Sequence, residues 1–157
     1  MPIATKGSKI DISHEKATKY IAEKIASNIE LNTTLLLFGE IGVGKTTFTK
    51  YFINYFQKKN KIEPSEVISP TFNILCEYEI NKTILQHYDL YRIKTSKDLN
   101  NIGIFENSEN KIRLIEWPEL LIKKKLPKTF KLFFNYDFDY KKRYLKIPIS
   151  LSSKKWK

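Results

Sequence analysis

The 157-residue sequence contains one cysteine and two histidines, and no hydrophobic run near the length of a membrane span. A lone thiol, Cys76, cannot close an internal disulfide. It lies in the strand-like FNILCEYEI, far in sequence from any cluster of metal-ligating residues, so packing is its expected role. The opening MPIATKGSKID has no apolar core, and a spanning helix needs about 18 consecutive apolar residues. The expectation is a cytoplasmic protein with no membrane partner. Acidic residues are scarce beside basic ones, 17 against 28, which leaves a formal charge of +11. That excess fits a nucleic-acid or other polyanionic partner. It fits equally a lysine-rich compositional drift in a chain also rich in Ile and Asn, and both readings stand.

What the sequence does hold is the composition of a folded protein, 41% hydrophobic and 13% aromatic, which argues against wholesale disorder. At 18.6 kDa it is long enough for one well-filled core and too short for two catalytic units. One domain is expected over residues 1–151, with 152–157, including Trp156, fraying. Neither an internal repeat nor an interdomain linker is visible.

Ser13 is placed to cap a helix running to about Ile29, because Ala17, Ile21, Ala22, Ile25 and Ile29 recur on one helical face. TLLLF, Thr34 to Phe38, reads as a strand buried on both faces. The next helix begins near Thr46, and its aromatic stripe (Phe48, Tyr51, Phe52, Tyr55, Phe56) has the spacing of a core-packed face rather than of a base-stacking surface. VISPTFNILCEYEI alternates like a strand in its second half. Ile84 to Asp89 and Lys111 to Glu116 read as two further strands, each ending in a carboxylate. TSKDLNNIG reads as a short helix capped at Thr95 or Ser96 and stopped near Gly103. TFKLFFNY and YLKIPI flank the polar DFDYKK as an antiparallel hairpin.

Between the TLLLF strand and the aromatic helix stands GEIGVGKTT, Gly39 to Thr47. Gly39, Gly44, Lys45 and Thr46 satisfy G-x-x-x-x-G-K-[ST] in the strand-to-helix context that gives the pattern meaning. Glycines at these points let successive backbone amides, including those of Gly42 and Val43, turn toward phosphate oxygens, and the helix N-terminus adds its positive dipole end. Lys45 is expected to reach the β- and γ-phosphates, and the Thr46 hydroxyl to meet Mg²⁺. A magnesium nucleotide site also needs a strand-end acid. The apolar lead-in RLIE favours Glu116 as the metal-side carboxylate, with Asp89 ordering or positioning water; solvated strand-end acids are the bland alternative. His87, two residues before Asp89, reads as a core or supporting residue. Ser69-Pro70-Thr71-Phe72 is a rigid turn with two hydroxyls, and Thr71 could sense a γ-phosphate, although such turns are common.

Taken in order, GEIGVGKTTF (Gly39 to Phe48), SPTF (Ser69 to Phe72), HYDLYR (His87 to Arg92) and LIEWPE (Leu114 to Glu119) resemble the bacterial TsaE (YjeE) family of small P-loop ATPases, over nearly the whole chain. The resemblance implies ATP and Mg²⁺ as cofactors, Thr46 and Glu116 as metal ligands, and Asp89 and Trp117 near the nucleotide. It brings Glu15, Glu40 and Thr47 into the nucleotide region, together with a basic residue of the late hairpin, Lys141, Lys142 or Arg143. Glu40 stands where the family usually has aspartate, and the hairpin lacks the glycine-arginine pair common in relatives. The implied activity is weak ATP hydrolysis that depends on TsaB and TsaD partners, in a machinery that forms threonylcarbamoyladenosine beside the tRNA anticodon, with tRNA met only through the complex.

Two rivals remain. A small-molecule kinase shares GxxGxGKT, but the basic run Lys123 to Lys125 holds none of the arginines that a kinase lid brings to the phosphoryl group. A nucleic-acid-binding module with a regulatory nucleotide site is supported by the charge. A GTPase is disfavoured, because neither NKTI nor NKIR supplies Asn-Lys-x-Asp. The fold expected is α/β, a three-layer P-loop NTPase-like domain with a mostly parallel central sheet and an antiparallel C-terminal edge.

Overall fold

A computed structural model describes residues 9–106, 109–148 and 151; the segment 152–157, where a frayed tail was expected, lies outside the described residues. Seven strands form one sheet in the order β1-β7-β6-β2-β5-β4-β3. They are β1 (Lys9–Asp11), β2 (Thr34–Phe38), β3 (Leu75–Ile80), β4 (Thr83–Asp89), β5 (Lys111–Glu116), β6 (Thr129–Tyr136) and β7 (Arg143–Lys146). The helices are α1 (Glu15–Asn28), α2 (Lys45–Lys59) and α3 (Ser96–Asn100), with a 3₁₀ turn over Glu119–Leu121.

The apolar run of β2 explains its central place. Leu35 and Leu37 enter one core with Phe48, Phe52 and Ile53 of α2 and Ile21, Ala22 and Ile25 of α1, while Leu36 enters a second core on the opposite face. That second core gathers Tyr88, Leu90, Leu99, Ile104, Ile115 and Leu121. Burying a side chain of this size stabilises by roughly 1.5–3 kcal/mol, so the Phe48–Phe52 face alone pins α2 firmly to the sheet. The aromatic stripe is core packing, as its period indicates: Phe48 lies edge-on to Phe134 of β6 with 5.8 Å between ring centroids.

Two expectations are corrected. The sheet is not mostly parallel: β6-β2, β2-β5 and β5-β4 run parallel, while β1-β7, β7-β6 and β4-β3 are antiparallel. The late hairpin supplies one antiparallel edge as read. The other edge arises because only Asn81 and Lys82 separate β3 from β4, too short a connection for a parallel crossover. Ser13 is not the cap of α1; His14 holds that position without a side-chain cap bond. Instead the Ser13 hydroxyl accepts the Arg143 amide (3.0 Å), and the Arg143 guanidinium donates to the Ser13 carbonyl (3.0 Å). The residue is spent on tying the segment after β1 to the start of β7. The cap of α3 is as expected, with Thr95 accepting from the Asp98 amide at 3.2 Å.

Candidate functional site

The carboxyl ends of β2, β4 and β5 converge, and the loop from Gly39 to Gly44 caps them before α2 begins. Two glycines show why this loop needs its composition. At Gly39 (φ +151°) a Cβ would stand 2.7 Å from the Phe134 carbonyl oxygen and 2.8 Å from a Val43 methyl. Backbone there passes too close to β6 for any side chain. Gly44 is the N-cap of α2 with φ +117°, a conformation that side chains disfavour, and it leaves the helix N-terminus facing the cleft. Val43 is fully buried and its side chain packs into the core under the loop.

A cleft of about 350 Å³ opens above the loop, lined by residues of the loop (Gly42, Gly44, Lys45, Thr46, Thr47) and by Thr71, Asp89, Glu116 and Trp117. Ile41, Ser69 and Tyr91 also line it. At its floor the Thr46 hydroxyl donates to Glu116 Oε1 at 2.8 Å, joining residues 70 positions apart in sequence. His87 Nε2 approaches the same oxygen at 2.8 Å, with the imidazole fully buried and its Nδ1 unpartnered. An ionised carboxylate only accepts, so Nε2 carries the proton in this contact. Lys45 donates from Nζ to the Gly39 carbonyl and stands 3.5 Å from the centroid of the Trp117 ring. Burial pulls its pKa below the ordinary lysine range, and Glu116, Glu119 and Asp89 pull it partly back. Trp117, at φ +55°, leaves β5 in a left-handed turn that brings its ring beside Tyr91, 5.0 Å between centroids.

Asp89 is buried at the end of β4. It accepts from the hydroxyls of both Ser69 and Thr71, the latter at 3.1 Å, and from the Tyr91 amide at 2.9 Å. The turn Ser69 to Phe72 is therefore fastened to the strand-end acid.

Five residues expected near the nucleotide do not line this cleft: Gly39 and Val43 of the loop, described above, and Glu15, Glu40 and Lys141. Glu15 lies exposed at the start of α1, bonded to the Tyr51 hydroxyl and to Lys50 at 3.2 Å on α2, and those bonds lower its pKa. Glu40 is exposed on the loop. Lys141 is exposed in the β6–β7 turn, 3.7 Å from Asp139. Sequence reasoning passed over Ile41 and Tyr91, and it assigned no partner to His87. Tyr91 sits inside the quoted HYDLYR, so the signal was present without a role attached.

Oxygen donors of Thr46 and Glu116 that already touch each other can contact one hard cation together, which fits Mg²⁺. Among the described residues no group of three or more His, Cys, Asp or Glu could hold a metal ion, so the remaining ligands would have to be phosphate oxygens and water, as Mg²⁺ prefers.

Residues 12–145 match the family model described as threonylcarbamoyl adenosine biosynthesis protein TsaE. Proteins called tRNA threonylcarbamoyladenosine biosynthesis protein TsaE share 38% identity over 110 residues in Rickettsia prowazekii (70% of this chain, 74% of the relative) and 36% over 111 residues in Aquifex aeolicus (71% and 77%). The relative in Rickettsia conorii is 36% identical over 110 residues, and the match spans only 61% of its length. Among solved structures, the crystal structure of Bacillus subtilis YdiB superimposes with a TM-score of 0.65 and 28% identity, covering 93% of this chain and 87% of that one.

Proposed function

The chain belongs to the TsaE family of tRNA threonylcarbamoyladenosine biosynthesis, and from that premise we propose that it is a P-loop ATPase that binds ATP with Mg²⁺ in the cleft above the glycine loop. The observation that carries this reading is the 2.8 Å contact between Thr46 and Glu116 at the mouth of a strand–glycine loop–helix unit. A hydroxyl at a helix start and a strand-end carboxylate are the pair that a phosphate-bound magnesium ion asks of a protein. When bound, Mg²⁺ offsets the charge of the β- and γ-phosphates and favours attack by water on the terminal phosphorus.

Each side chain has a task in this scheme. The amides of the loop and the N-terminus of α2 receive phosphate oxygens. Lys45 exchanges the Gly39 carbonyl for a phosphate, an anionic partner that favours its charged form. His87 holds the Glu116 carboxylate in place. Asp89, with Ser69 and Thr71 gathered on it, orients water near the terminal phosphate, and Thr71 registers whether that phosphate is present. Trp117 forms the wall beside Lys45.

The proposed role is an accessory one. ATP binding favours docking to TsaB and TsaD homologues that transfer the threonylcarbamoyl group to tRNA, and hydrolysis resets the assembly. Weak turnover by the chain alone then follows, because water positioning is completed by the partner. The test is Mg²⁺-dependent ATP turnover by the chain alone and with those partners, beside Lys45→Ala and Glu116→Ala. Turnover should rise with partners and vanish in Lys45→Ala, while Glu116→Ala should lose turnover more than nucleotide affinity. Unchanged turnover in both variants would remove the cleft from consideration.

A further inference from the structure

The sheet has one face that nothing among the described residues covers. Helices α1 and α2 close one side, and residues of the second core close the other side over β2, β5 and β4. Over β6, β7 and β1 that second side stays open. Along β6 the outward residues Thr129, Lys131, Phe133 and Asn135 are all exposed, alternating with the inward Leu132 and Phe134.

Register defines what this face presents. Phe133 pairs with Lys146, and Lys146 with Lys9, so one row across three strands reads Phe-Lys-Lys; the next row reads Asn135, Tyr144, Asp11. Directly paired residues share a face, and diagonal neighbours such as Phe133 and Tyr144 lie about 7–8 Å apart. Phe133 keeps 40% of its surface exposed and is held flat by stacking on Phe38, 5.0 Å between centroids and 17° between planes. Lys9 extends its ammonium 4.0 Å from the Tyr144 ring centroid. Lys131 and Lys146 also border a groove of about 650 Å³ that includes Phe133 and Asn135. The acid of this face, Asp11, is engaged by the Ser13 amide at 2.9 Å.

We infer that this open face binds single-stranded RNA. Anchored rings amid lysines, on an open sheet face with no helix among the described residues over them, suit bases that stack and phosphates that need cations. A folded apolar partner would meet three desolvated lysines there, whereas a polyanion gains from each of them. RNA rather than DNA rests on the proposed role in tRNA modification; the stacking and charge arguments do not depend on the nucleotide cleft.

The test is fluorescence anisotropy of labelled 12-nucleotide oligouridine and of a 12-base-pair RNA duplex with the purified chain, without ATP. Oligouridine should bind more tightly than the duplex, with a log–log salt slope of about −2 for three lysine contacts. Lys131→Glu with Lys146→Glu should cut affinity by at least tenfold, and the charge-matched control Lys123→Glu with Lys124→Glu by much less. Phe133→Leu keeps an apolar contact with Phe38 and removes the aromatic face. It should weaken binding about tenfold with the melting temperature unchanged, and ultraviolet crosslinks should map to Phe133 or Tyr144. Equal loss in the control pair, tighter binding of the duplex, or no binding at low salt would each overturn the assignment. Because no nucleotide is present, a failed ATPase assay would leave this result standing, and the reverse holds too.

Discussion

His87 is the residue whose surroundings say most about how the cleft works. Its imidazole is wholly buried, one nitrogen meets Glu116 and the other has no partner. A buried polar atom left unpaired costs about 1–3 kcal/mol, so the position is poor for stability alone. Its compensation is control of Glu116: Oε1 receives both His87 and Thr46, and the carboxylate cannot swing away from the loop. His87 is thus a positioning residue. Replacing it by leucine should raise the Mg²⁺ concentration for half-maximal turnover several-fold and leave metal-free nucleotide binding, followed by Trp117 fluorescence, unaltered. His87→Gln, whose amide can still donate to Glu116, should recover part of the loss. If leucine and glutamine behave alike, the imidazole serves only packing.

At the level of elements, α2 links the glycine loop to the core. Lys45 and Thr46 sit in its first turn, and Phe48 and Phe52, both fully buried, hold the next two turns against the sheet. A helix start that must keep Thr46 within hydrogen-bond reach of β5 cannot be mobile, and this stripe supplies the rigidity. Phe52→Ala leaves the cleft residues untouched but opens a void in the core. Equilibrium denaturation should show a loss of about 3–5 kcal/mol. A loss under 1 kcal/mol would mean that the core closes around the void and that α2 is less firmly anchored than its burial indicates. The capping of the other helices carries a second lesson. Thr95 caps α3 because the donor it accepts from, the Asp98 amide, lies within the same turn, whereas Ser13 was drawn away by a residue 130 positions distant.

For the molecule as a whole, the sheet places its most protected strands beside the cleft. β2 and β5 are central and almost entirely buried, whereas β1 is a three-residue edge and β3 an edge with alternate residues exposed. Amide exchange should therefore be slowest in β2 and β5 and fastest in β1 and β3. Exchange in β2 as fast as in β1 would contradict this order. No helix among the described residues is long and apolar enough to cross a membrane. The +11 charge left two readings open, and three of the lysines behind it stand on the face of β6, β7 and β1 that none of the described residues covers, which is where the RNA inference resides.

Sequence alone determined whatever depends on neighbours within a turn or a strand. TLLLF and KIRLIE were legible as β2 and β5, the aromatic spacing as α2, and the glycine loop between them, because period and backbone freedom are local properties. The three-residue β1 carried no such signal, since a strand that short exists only through its ladder to β7. Which strands become neighbours, and with what polarity, depends on partners far along the chain, so the antiparallel β3 edge went unread. The same holds for the cleft. Thr46, Asp89 and Glu116 were visible as residue types, but the contacts of Thr46 and His87 with one carboxylate oxygen, and of Ser69 and Thr71 with Asp89, come from the folded sheet. Hydrogen bonds between segments are formed by three-dimensional proximity, and no local pattern encodes it.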